Sequence, residues 1–107
     1  MENKKENFIH DISDGSYLVE FSAPWCRDHK AHEFFEYEAP SLFHLGFRLC
    51  DVDKNPQVAA QLGVFSLPTW ILFENGHEVD RFVGFEAKKK FLELTRTNPD
   101  LEFTRLN

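Results

Sequence analysis

The sequence predicts an α/β fold, a mixed sheet of four or five strands flanked by helices on both faces. Three observations carry this expectation. Short apolar runs alternate with stretches of helical period; a strand-helix-strand order in the first half implies a parallel pair; and Asn75-Gly76 between two extended runs implies an antiparallel hairpin. At 107 residues the chain has room for one core and is too short for two domains of ordinary size. Twelve phenylalanines in a composition that is 42% hydrophobic supply core-forming side chains that a disordered chain lacks, so residues 1–107 are expected to fold as a single domain.

Phe8, Ile9 and Ile12 recur at helical spacing before the turn signal Asp14-Gly15, which predicts a short helix over 5–13. Tyr17 to Ser22 is a mostly apolar run suited to a strand buried on both faces, with Glu20 as its odd member. After Pro24 the period becomes helical, with Ala31, Phe34 and Phe35 on one face, until Pro40 interrupts or kinks the helix. Cys26 is expected at the start of that helix. Phe47 to Val52 reads as a core strand, Pro56 to Leu62 as a helix, and Gly63-Val64 as a turn. Trp70 to Phe73 and Val79 to Phe85 flank the hairpin turn. A last helix over 86–97 ends before Asn98-Pro99, because a residue preceding proline disfavours the helical region. Beyond it Leu101, Phe103 and Leu106 give an extension, 98–107, the apolar content to dock on the domain.

A net charge of -6 opposes binding to nucleic acid or an anionic membrane. The one basic run, Lys88-Lys89-Lys90, lies in the last helix and reads as a solvated face. Residues 1–7 are polar with no apolar stretch behind them, and no segment has the length of a membrane span, which points to a cytoplasmic protein with no membrane partner. Two cysteines far apart in sequence do not suggest a disulfide-stapled scaffold.

Val19-Glu20-Phe21-Ser22-Ala23-Pro24-Trp25-Cys26, the stretch Asp51-Val52-Asp53-Lys54-Asn55-Pro56, Leu67-Pro68-Thr69 and Asn75-Gly76 occur in an order and spacing that resemble the thioredoxin family. The resemblance covers about residues 8–96, and the approach to Cys26 is particularly similar to that of protein disulfide isomerase domains. It implies a thioredoxin-like fold and thiol-disulfide exchange on protein disulfides or mixed disulfides, contributing to cell redox homeostasis, by a monomer with no resident cofactor or metal. The sequence departs from the family at His29, where a second, resolving cysteine would stand, so the motif is Cys-Arg-Asp-His. The short N-terminus leaves little room for the family's first strand, and the extension after residue 98 is absent from its shorter members.

Cys26, His29 and Glu20 are the candidate catalytic residues. A thiolate is the nucleophile in exchange, and a helix start favours it through unpaired amides, with Arg27 and Asp28 opposing each other beside it. His29 could hold that thiolate as an imidazolium, take its proton as a neutral base, or be a tolerated polar residue. Glu20 aligns with the family's buried acidic residue, which can pass a proton during exchange; the alternative is a side chain that reaches solvent at the strand's end. Trp25, Leu67 and Pro68 are the candidate substrate-binding residues. The resemblance implies a cis bond before Pro68 and a backbone free to pair with a bound peptide. Cys50 reads as buried and inert, and too far from Cys26 for a disulfide. Cys26, His29 and His32 drift around a helix, which disfavours a metal site.

Two functions compete. One is single-cysteine exchange completed by an external thiol such as glutathione. The other is a non-catalytic protein-binding or chaperone-like module that keeps the fold and groove.

Overall fold

The computed structural model describes residues 4–26 and 29–104, the side chains of 4–6, 29 and 102 excepted. Helix α1 (Lys4–Asp11) leads into strand β1 (Ser16–Ser22), and a 3-10 turn over Pro24–Cys26 follows. A continuous helical stretch then runs through α2 (His29–Glu33), a π-helical turn (Phe34–Glu38) and α3 (Ala39–Leu42). The rest is β2 (Gly46–Asp51), α4 (Pro56–Gln61), β3 (Thr69–Glu74), β4 (His77–Val83), α5 (Ala87–Thr97) and a 3-10 turn over Glu102–Thr104.

The strands form one four-stranded sheet in the order β2-β1-β3-β4. β1 and β2 are parallel, and β1-β3 and β3-β4 are antiparallel. Alternation along β1 sends Leu18 to a core with Phe34, Phe35, Trp70, Phe82 and Phe91, and sends Val19 and Phe21 to a second core with Ile12, Val58, Ile71 and Phe73. The helical stretch 29–42 and α5 therefore cover one face, and α1 and α4 the other. The hairpin turn has both Asn75 (φ 51°) and Gly76 (φ 82°) in the left-handed region, the geometry that matches the twist of two adjoining strands.

Three expectations take a definite form. Pro40 interrupts the regular α-helix, as its ring implies, while the helical stretch continues past it. The ring has no N–H and crowds the carbonyl four residues back, and the preceding turn relieves this by widening, with the Ala39 N–H donating to the Phe34 carbonyl five residues back. Cys26 closes the 3-10 turn, and its own N–H is paired with the Ala23 carbonyl at 3.1 Å. Residues 27 and 28, on which the expected helix start falls, lie outside the described residues. Cys50 is buried as expected, although its strand lies at the edge of the described sheet, because α1 and α4 cover the face it presents.

The C-terminal extension docks. Phe103 is fully buried, its ring 5.8 Å from Phe91 and 6.1 Å from Phe43, and its carbonyl accepts from the His44 N–H at 3.1 Å. Leu101 packs against the same core; Leu106 lies outside the described residues. Lys88, Lys89 and Lys90 are exposed, with Lys88 Nζ 4.8 Å above the Phe34 ring. Emptying the Phe103 site leaves a cavity against Phe91 that α5 cannot close, so Phe103→Ala is expected to lower stability by about 3–5 kcal/mol in urea denaturation. An unchanged midpoint would mean that the extension contributes nothing to the core.

Candidate active site

Pairing brings the candidate residues to one end of the sheet. Ser22 lies opposite Asp51 and Phe21 opposite Thr69, so the chain leaving β1 through Trp25 and Cys26 and the chain entering β3 through Leu67-Pro68 run out beside each other. Cys26 is half-buried, its Sγ 3.8 Å from the Ser22 Oγ. Trp25 is 72% exposed, and its Nε1 donates to Asp53 Oδ2 at 3.2 Å, which fixes the indole over the segment that follows β2.

The Leu67-Pro68 bond is cis, both residues are half-buried, and the Pro68 carbonyl accepts from the Gly84 N–H at 3.5 Å. Arg81 holds the start of that loop: Nη2 and Nη1 donate to the carbonyls of Leu62 (2.9 Å) and Gly63 (3.2 Å), while Glu78 grips the guanidinium at 2.7 Å. This hydrogen bond raises Arg81 further above its already high ordinary value, keeping the anchor charged. Phe65 and Phe85, 88% and 90% exposed, stand in the segments before Pro68 and after β4, and with Trp25 they leave three large rings in solvent. Sequence reasoning did not select these phenylalanines, although aromatic residues beside Leu67-Pro68 and Gly84 were the signal available.

Glu20 is 1% exposed, which excludes a side chain reaching solvent. It shares the face of β1 with Leu18 and Ser22, and the register sets it opposite Trp70. Trp70 Nε1 donates to Glu20 Oε1 at 2.9 Å, and His32 Nδ1 lies 2.7 Å from the same oxygen. The other ring nitrogen of His32 contacts Glu36 Oε2, one helical turn along and partly exposed. Phe47 closes on the imidazole edge at 6.2 Å.

Of the three expected catalytic residues, Glu20 and Cys26 are thus placed at and below one end of β1. His29 is the first residue of α2; its side chain, with Arg27 and Asp28, lies outside the described residues. His32, Glu36, Trp70, Ser22 and Asp53 surround these candidates and were not expected beside them. A buried carboxylate demands donors, and that demand pointed to a polar residue on the apolar face of the next helix, where His32 stands. Among the described residues no group of three or more His, Cys, Asp or Glu side chains is arranged to hold a metal ion.

The thioredoxin family model matches residues 1–97. The thioredoxin of Chlamydia trachomatis is 38% identical over 91 residues, covering 84% of this chain and 89% of that protein. The thioredoxin of Staphylococcus aureus is 37% identical over 90 residues, covering 82% and 86%. Among solved structures, Fasciola hepatica thioredoxin superposes with a TM-score of 0.64 at 32% identity over 85% of this chain and 88% of that one. Oxidised thioredoxin of Plasmodium falciparum gives 0.68 at 28% identity over 86% and 92%.

The second sulfur belongs to a different environment. Burial, reinforced by the neighbouring Asp51 carboxylate, pushes the Cys50 thiol up to about 11. The folded chain holds this proton more tightly than the unfolded one, so the stabilisation is complete below the ordinary thiol value of 9.0 and is lost as pH rises through about 11. Alkylation at pH 8 should therefore modify Cys26 in the native protein and reach Cys50 only in denaturant. Stability should also fall more steeply above pH 9 in the parent chain than in Cys50→Ala, and equal slopes would refute this account.

Proposed function

This chain belongs to the thioredoxin family, and from that premise we propose that it exchanges protein disulfides through the single active-site cysteine Cys26, as a monomer in the cytoplasm. Thiol-disulfide oxidoreductase chemistry on protein disulfides is the activity that its relatives support. The observation that carries the single-cysteine form is the different setting of the two sulfurs: Cys26 is half-buried beside Ser22, and Cys50 is buried among Ile12, Val58 and Phe21. Among the described residues no helix is long and apolar enough to cross a membrane.

In the first step the Cys26 thiolate forms a bond to one sulfur of the substrate disulfide. The substrate S–S bond breaks, its electron pair leaves on the other sulfur, and that sulfur takes up a proton to become a free thiol. With His29 at the resolving position, an external thiol such as glutathione, or a second thiol of the client, attacks the mixed disulfide as thiolate and releases Cys26. The net result is deglutathionylation or isomerisation, and no resident cofactor is needed. Glu20, two residues before Ser22 on the same face of β1, supplies and recovers the proton; His29 stabilises the thiolate or takes its proton. Trp25, Leu67 and Pro68 bind the client chain, with an extended peptide pairing along the backbone that precedes β3.

The exposed rings of Trp25, Phe65 and Phe85 favour a second reading, a binding module that holds clients without exchanging their disulfides. The two readings separate on one atom. Cys26→Ala should fall to background in glutathione-coupled exchange, and full activity would exclude the exchange reading. Client binding that persists at full strength in an inactive Cys26→Ser, in a parent that also shows no exchange, would favour the module.

The missing sulfur gives a gain-of-function test. His29→Cys should form an intramolecular disulfide with Cys26 and raise insulin reduction severalfold over the parent chain. A folded variant that forms no such disulfide would show that residue 29 does not face Cys26 as the family's motif requires.

A further inference from the structure

Glu20 has almost no contact with solvent, yet a carboxylate that gives up and recovers a proton in every turnover needs a path to water. Trp70 cannot be that path, because an indole N–H donates and has no basic nitrogen to accept a proton in return. His32 can: an imidazole accepts a proton on one ring nitrogen and releases another from the second. Its Nδ1 is 2.7 Å from Glu20 Oε1, and its Nε2 meets Glu36 Oε2, whose side chain is 26% exposed. Each of these two contacts requires one hydrogen between nitrogen and oxygen. The three groups therefore share two protons, either as an imidazolium between two carboxylates or as a neutral ring with one carboxylic acid. A proton passed from Glu36 to Glu20 leaves the ring as its other tautomer, and a proton returned from Glu20 to Glu36 restores the first.

We propose that Glu20, His32 and Glu36 form a proton path from the buried floor of the thiol site to the helix surface, with His32 as the positioning residue that reloads Glu20. This rests on the exchange reading above and adds to it the route by which the proton lost to the leaving sulfur is replaced. Over a full turnover the protons balance: one passes from Glu36 through the ring to Glu20 and on to the departing thiolate, and the one released by the attacking external thiol returns through Glu20 and the ring to Glu36, which restores the starting tautomer.

The test compares glutathione-coupled exchange in the parent chain, Cys26→Ala, His32→Ala, His32→Asn and Glu36→Gln, with folding checked by circular dichroism and the Trp70 indole resonance. Asn can place an amide N–H near the position of Nδ1 and keep the bond to Glu20, but it cannot pass a proton. His32→Ala and His32→Asn are both expected to lose activity about tenfold to hundredfold, and free imidazole is expected to restore the alanine variant alone. Glu36→Gln should also slow exchange while shifting the Nε2 resonance of a ¹⁵N-labelled His32 and leaving Nδ1 in place. Full activity in His32→Asn, or no imidazole rescue of a folded His32→Ala, overturns the path. Activity retained in Cys26→Ala would instead overturn the exchange reading, and the ring-nitrogen shifts would then judge the path by themselves. A Glu36→Gln variant that leaves Nε2 unmoved overturns it in either case.

Discussion

The packing of this domain depends on how one carboxylate is kept out of water. Glu20 lies in a central strand that is buried from Leu18 to Ser22, and an ionised group placed there without partners would be expelled or would unfold the strand. Trp70 reaches it across the sheet and His32 reaches it from the covering helix, so the contact exists only when β1, β3 and α2 hold one particular register. A strand slip by one residue would turn Glu20 to the opposite face, and a helix rotation by one residue would turn His32 about 100° away. The network thus specifies the arrangement of the three elements from which Cys26 and Pro68 project.

Around that polar point the core is built from rings. Phe91 on α5 sits within 6 Å of Phe34, Phe35, Phe43, Phe82 and Phe103, mostly edge to face, and Phe35 stacks on Trp70 at 4.4 Å. Offset and edge-on packing lets flat side chains fill space at high density. Phe34 and Phe35 are neighbours in sequence and both buried, which a regular helix achieves only in part, since successive residues point about 100° apart. The widened turn that begins at Phe34 helps to admit both.

Much of this was legible in the residues because the signals are local. The apolar run 17–22, the Asn75-Gly76 turn and the parallel pair were read from pattern and turn chemistry, and Glu20 announced itself as a charge in an apolar strand. What escaped depends on contacts between elements. How Pro40 interrupts its helix is decided by the turn that precedes it, and where the strand of Cys50 lies in the sheet is decided by strand order. His32 looked like one polar residue among several on its helix until the helix was laid over β1. Cys26 closes its own tight turn over Pro24–Cys26, which the helical period of the following residues did not reveal.

The outer strand of the sheet bears on what happens to a client. β4 has one open edge, and the register shifts between Leu72 and Phe73, so that Val79 has no partner opposite it. Glu78, Asp80 and Arg81 place charge along the same strand. A bulge and charged side chains are features that stop a foreign strand from adding to an edge. In the proposed exchange a mixed disulfide would tether a partly unfolded chain close to this sheet, raising its local concentration there. An edge that refuses extension would let such a chain be held by one sulfur and released, instead of seeding aggregation on the protein that handles it.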